Sequence, residues 1–104
     1  MGMAQFLRTY LGQPQFSSLG EGKVHMGKWM NWVKGLGDTL VHPARPLPRS
    51  KTVGPNGVND GCVPVSGFLI IEAANMDAAI AIAQADPFSA HADIGVSEMM
   101  VMDV

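Results

Sequence analysis

Three stretches of the chain alternate between faces, and two cycle at helical spacing. Residues 4–11, "AQFLRTYL", put Phe6, Arg8 and Tyr10 on one face and Leu7, Thr9 and Leu11 on the other. That period of two predicts a strand with large side chains on both sides. Residues 66–73 set Phe68, Ile70 and Glu72 against Leu69, Ile71 and Ala73, the pattern of a central strand covered front and back. The closing run "IGVSEMMVMDV" sets Val96, Glu98, Met100 and Met102 against Gly95, Ser97, Met99 and Val101. It predicts a third two-sided strand over 95–102.

The first helical stretch is "KVHMGKWMNWVKGLGD", residues 23–38. Val24, Met26, Trp29, Met30, Val33 and Leu36 form a broad apolar arc at 3.6 spacing, with Gly35 and Gly37 as the stop. His25 falls in register with Trp29, Trp32 and Leu36, at the edge of that arc. The second helix begins after Asn75, a natural cap, with Asp77 in its first turn. Met76, Ala79, Ile80 and Ala83 make its stripe, and Pro87 ends it. Residues 12–22, "GQPQFSSLGEG", read as a loop. Residues 38–65 are irregular: "TLVH" is a short strand, Pro43, Pro46 and Pro48 exclude a central one, and "RSKTV" resumes pairing before the turn-rich "GPNGVNDG".

The order β, α, β, (loop), β, α, β over residues 1–104 is a single α+β domain on the ferredoxin-like, split βαβ plan, with both helices on one sheet face. Two helices cover one face of a four-stranded sheet, yet three strands are apolar on both. A second copy of the chain, packed sheet on sheet, is the expected cover. Composition agrees: of 104 residues 47% are apolar and only 15% charged, against an ordinary charged share of about 25%.

A net charge of −2 and three clustered cations, Arg45, Arg49 and Lys51, argue against a nucleic-acid partner. No window is long and apolar enough to predict a membrane span, and no signal peptide is read at the start. One cysteine, Cys62, allows no internal disulfide and no cysteine-based zinc site. The glycines do not fit a phosphate loop. The reading is a cytoplasmic protein without metal or cofactor.

"GFLIIEAANMDAAIAIAQADPF", residues 67–88, and "W…LGDTLV…PARPL", residues 29–47, carry a resemblance to the YCII-related (YciI/DGPF) family. The shared features are an aromatic–aliphatic strand ending in Glu-Ala, an alanine-rich helix and a proline after it. The resemblance implies a dimeric α+β barrel of ferredoxin-like subunits. It also implies a catalytic His and Asp, which fall on His25 and on Asp86 of "ADPF". The sequence departs from the family at Asp60-Gly61, where Cys62-Val63-Pro64 follows.

A half-buried imidazole beside a carboxylate suits general acid–base work at neutral pH. His42 and Arg45, close in the proline-rich loop, suit a small anion. Glu72 and Glu98 lie mid-strand among apolar neighbours and call for a partner; Arg8 is the expected one. The functional expectation is a homodimer that binds or turns over a small polar molecule. His25 and Asp86 would be acid–base partners, with Arg8, His42, Arg45 and Glu72 as ligand contacts. The competing expectation is a non-catalytic module for dimerisation or ligand sensing.

Overall fold

The computed structural model describes residues 3–12, 16–59 and 65–100. Strand β1 (Ala4–Leu11) leads to helix α1 (Leu19–Leu36) and strand β2 (Leu40–Pro46). A small hairpin, β3 (Thr52–Gly54) and β4 (Gly57–Asn59), intervenes before β5 (Val65–Ala73), α2 (Met76–Ala85) and β6 (Asp93–Met99). The main sheet has the order β2-β5-β1-β6, and each neighbouring pair is antiparallel. Both central strands come from the two-sided stretches, β1 and β5, as burial on both faces requires. This is the expected α+β, ferredoxin-like arrangement, with β3–β4 added as a separate two-stranded sheet. The DGPF-like element and Cys62 fall in residues 60–64, and the last two positions of the expected 95–102 strand in 101–102, outside the described residues.

Local chemistry sets the boundaries. Helix α1 starts four residues before the expected Lys23. Ser18 caps it by accepting the Glu21 N–H at 3.1 Å, and the Glu21 carboxylate accepts from the Ser17 N–H and hydroxyl. The pair works like a capping box whose return bond goes to Ser17, one residue before the cap, inside a stretch whose Gly and Ser content reads as loop. Gly37, at φ +53°, ends the helix as expected. Asn75 caps α2 by accepting from the Ala78 N–H at 2.8 Å. Strand β2 runs through Pro43 to Pro46, further than the expected "TLVH". It is an edge strand with two register irregularities, where missing N–H groups cost no central ladder bonds.

The core lies between sheet and helices: Phe6, Tyr10, Leu69, Ile71, Ala73, Ala79 and Phe88. Two expected helix faces are corrected. On α1 the buried residue is His25, and its stripe with half-buried Trp29, Trp32 and Leu36 faces the sheet; Val24, Met26 and Met30 are exposed. The apolar arc of α1 is wider than its contact with the sheet, so apolar spacing alone does not pick the buried edge. On α2, Ala79 and Ala83 are buried while Met76 and Ile80 are exposed. The small alanines press the helix onto the sheet and leave the longer side chains at its flank.

The open face of the sheet carries Leu7, Thr9 and Leu11 from β1 and Phe68, Ile70 and Glu72 from β5, all half-buried. The molecule is a slab, 46 × 43 × 19 Å. Among the described residues no helix is long and apolar enough to cross a membrane.

Candidate functional site

Strand β1 places Arg8 between Phe6 and Tyr10 on the helix-covered face, because alternate residues of a strand share a side. Arg8 is fully buried. Its counter-charge comes from the far end of the chain. Asp86 sits between α2 and a 3-10 turn (Pro87–Ala90) and is 1% exposed. The proline that stops α2 thus fixes the carboxylate under the helices.

Asp86 is fully engaged. Its Oδ2 accepts from Arg8 Nη2 at 3.0 Å and from the Tyr10 hydroxyl at 2.6 Å, and its Oδ1 accepts from the Phe88 N–H at 2.8 Å. Tyr10 in turn accepts from Trp29 Nε1 at 3.1 Å. Burial, with the hydrogen bond to Asp86 second, holds the Tyr10 hydroxyl well above its ordinary pKa, so it remains a donor. The Arg8 guanidinium lies 5.1 Å from the centre of the Trp32 ring, within cation–π range. Only one of its nitrogens is paired: Nε and Nη1 have no hydrogen-bond partner among the described residues.

His25 is 6% exposed and borders this cluster through Phe88, with ring centres 6.3 Å apart. Phe16 and His91 pack on its other sides at 5.1 and 4.9 Å. Burial lowers its pKa, His91 lowers it further, and Asp86 pulls the other way. A neutral imidazole with lone-pair capacity is therefore held beside a buried ion pair. That arrangement suits proton acceptance and the binding of polar groups.

The six candidate residues fall into two groups. His25, Asp86 and Arg8 are buried on the helix side. His42, Arg45 and Glu72 belong to the other side of the sheet and its β2 edge, where the His42 ring stacks on Phe68 with centres 5.5 Å apart. Arg8 does not pair with Glu72 or Glu98 as anticipated. Glu72 alternates onto the open face, Glu98 is exposed, and Asp86 takes the guanidinium. Tyr10, Trp29 and Trp32 were not singled out as site residues from sequence. The available signals were the two-residue step from Arg8 to Tyr10 and the helical steps from His25 to the two tryptophans.

Two surface hollows flank the helices. One lies beside α1 over Phe16, Leu19, Met26 and Met30, and the other between α2 and β6 over Met76, Ile80, Ile94 and Val96. Neither is lined by His25, Arg8 or Asp86. Among the described residues no cluster of three or more His, Cys, Asp or Glu could hold a metal ion.

The fold and this cluster define a class: a ferredoxin-like α+β domain with a buried, partly satisfied arginine between sheet and first helix. The model of the YCII-related domain matches residues 13–103, and the chain belongs to that family. No curated protein matches the chain.

Proposed function

We propose that the chain works in the cytoplasm as a homodimer through its open sheet face, and that the Arg8–Asp86–His25 cluster binds or turns over a small polar molecule. The observation that carries the binding reading is the pair of unpaired donors on Arg8, in a side chain with no exposure to water. A buried donor without an acceptor is costly, and a ligand carboxylate, phosphate or carbonyl relieves that cost. Asp86 holds Arg8 in place, and His25, its pKa lowered by burial, is the group that would accept a proton from the bound molecule. The dimer reading is supported by the apolar side chains of Leu7, Leu11, Phe68 and Ile70 on the face that neither helix covers.

The second reading, a dimerisation or ligand-sensing module without chemistry, is favoured by one observation: neither described hollow reaches His25 or Asp86. A thermal-shift screen with small carboxylates, phosphates and carbonyl compounds at millimolar concentration tests the first reading. A ligand for the cluster raises the melting temperature of the wild type and not of Arg8→Leu or His25→Gln. Turnover of that ligand, lost in His25→Gln, marks an enzyme. A stabiliser without turnover supports sensing, and the lack of any stabiliser leaves dimerisation alone.

A further inference from the structure

Arg8 has two unpaired donors and no exposure to water, so an acceptor that reaches it from outside needs a way in. Three rings pack around neighbouring His25: Phe88, Phe16 and His91. They are held with unequal firmness. Phe88 belongs to the core, packs on Tyr10 with ring centres 4.6 Å apart, and donates its N–H to Asp86. Phe16 lies outside that core, ahead of the Ser18 cap, and is only half-buried. Its ring rests on Gly22, where a Cβ would come within 3.5 Å of it. Gly22 thus offers the ring a flat seat and no side chain to lock it.

Phe16 also forms part of the wall of the hollow beside α1, with Leu19, Met26 and Met30. Those three are exposed, and their spacing of seven and four residues lines them up on one side of the helix. The same ring thus packs on the imidazole of His25 and lines an open apolar hollow. From this we infer that the hollow and the Arg8–Asp86–His25 cluster are the two ends of one site for an amphipathic carboxylic acid, with the Phe16 ring as the door between them. The carboxylate passes Phe16 to reach His25 and the unpaired donors of Arg8, and the apolar chain lies over Leu19, Met26 and Met30. The inference rests on the reading of the cluster as a binding site and names the class of molecule it takes.

Each end of the site selects half of the molecule. A buried guanidinium favours a charged acceptor, because charge-assisted hydrogen bonds are the strong ones. The hollow, lined by methionine and leucine, gains by covering an alkyl chain. The proton decides why the head is an acid. Asp86 already balances the charge of Arg8, so a second carboxylate alone would leave a negative charge buried and uncompensated. With a proton taken up on His25, the imidazolium balances it and the whole site stays neutral. Around His25 the other ionisable groups are His91 on the turn after α2, Asp86 at the end of α2, Lys28 on α1, and Arg8 and Tyr10 of the cluster on β1. None but His25 both lies within the cover and gains a counter-charge when the acid enters.

Thermal shift of the wild type with acetate, butanoate, hexanoate and octanoate tests the two-ended site. Affinity should rise about two- to fourfold for each added CH₂, and fall about tenfold from pH 7 to pH 8 as the proton for His25 grows scarce. Equal affinity for all four acids, or affinity independent of pH, overturns the shared site and leaves the cluster reading standing. Octanoate that stabilises Arg8→Leu as well as the wild type is held by the hollow and Lys23 alone, and overturns it too. Stabilisation by phosphates or carbonyl compounds but by none of the acids also overturns this inference alone, whereas no stabiliser of any class overturns the cluster reading itself. The door is read by diethyl pyrocarbonate, which modifies accessible neutral imidazoles. In the wild type His25 should react about tenfold or more slowly than exposed His91, and Phe16→Ala should raise its rate about tenfold, with that of His42 unchanged. A His25 rate that Phe16→Ala leaves unaltered overturns the door.

Discussion

On β1 the side chains of Phe6, Arg8 and Tyr10 turn under the helices, and those of Leu7, Thr9 and Leu11 turn away from them. The usual division of a strand puts polar residues on the uncovered side and apolar ones on the covered side. Here the only charged residue of the strand lies on the covered side, and two of the four residues facing out, Gln5, Leu7, Thr9 and Leu11, are leucines. The covered face can keep a charge because Asp86, Tyr10 and the Trp32 ring supply it with partners. The open face holds apolar groups half-exposed, a state that a second sheet would complete. One strand thus separates a buried polar cluster from an open apolar face.

The largest expected effect comes from breaking the covered side. Asp86→Ala leaves the Arg8 guanidinium buried without its counter-ion and removes the acceptor for Tyr10 and the Phe88 N–H. A loss of about 3–5 kcal/mol is expected on urea unfolding. A loss under about 1 kcal/mol would mean that Arg8 had found water or another partner. The matching change on the open side, Ile70→Asp, places a carboxylate where β5 faces away from both helices. It is expected to abolish dimers at micromolar concentration by size-exclusion chromatography, while far-ultraviolet circular dichroism stays that of the wild type. Tyr10→Phe removes one donor to Asp86 and one acceptor for Trp29, and about 1–2 kcal/mol of unfolding free energy is expected to go with them. Asn75→Ala, which touches neither face, should cost about 1 kcal/mol through the lost cap of α2.

A smaller effect is written in pH. His25 has a lowered pKa because it is buried and close to His91. Below about pH 6.5 the unfolded chain takes up a proton there before the folded chain does, so stability falls as pH drops through that window. Tyr10 works at the other end. Its hydroxyl is held protonated by burial and by Asp86, so above about pH 10 the unfolded chain loses a proton that the folded chain keeps, and stability falls as pH rises. Urea midpoints across both windows check the pair. His25→Gln should flatten the acid limb and Tyr10→Phe the alkaline one.

Much of the fold was legible because strands and caps speak locally. The alternation of residues 4–11 marks β1 residue for residue, and Asn75 and Pro87 bracket α2. The proline-broken β2 was less legible, since only its place at the sheet edge makes Pro43 and Pro46 tolerable. The orientation of α1 was illegible for a different reason. Its apolar arc, from Trp32 and Leu36 through Trp29 round to Met26 and Met30, is wider than its contact with the sheet, and only tertiary packing chooses which edge is buried. The site was half visible. Period two placed Arg8 and Tyr10 together, but 78 residues separate Arg8 from Asp86, and nothing local says that this carboxylate, rather than Glu72 or Glu98, meets the guanidinium. Pairing at that range is decided by topology, which brings the end of α2 over the middle of β1.

The separation of roles between the two faces is tested most directly by the mass of the particle in solution. Sedimentation equilibrium of the wild type at micromolar concentration should return twice the 11.1 kDa of one chain. A stable particle of a single chain, with Leu7, Phe68 and Ile70 facing water, would contradict the account.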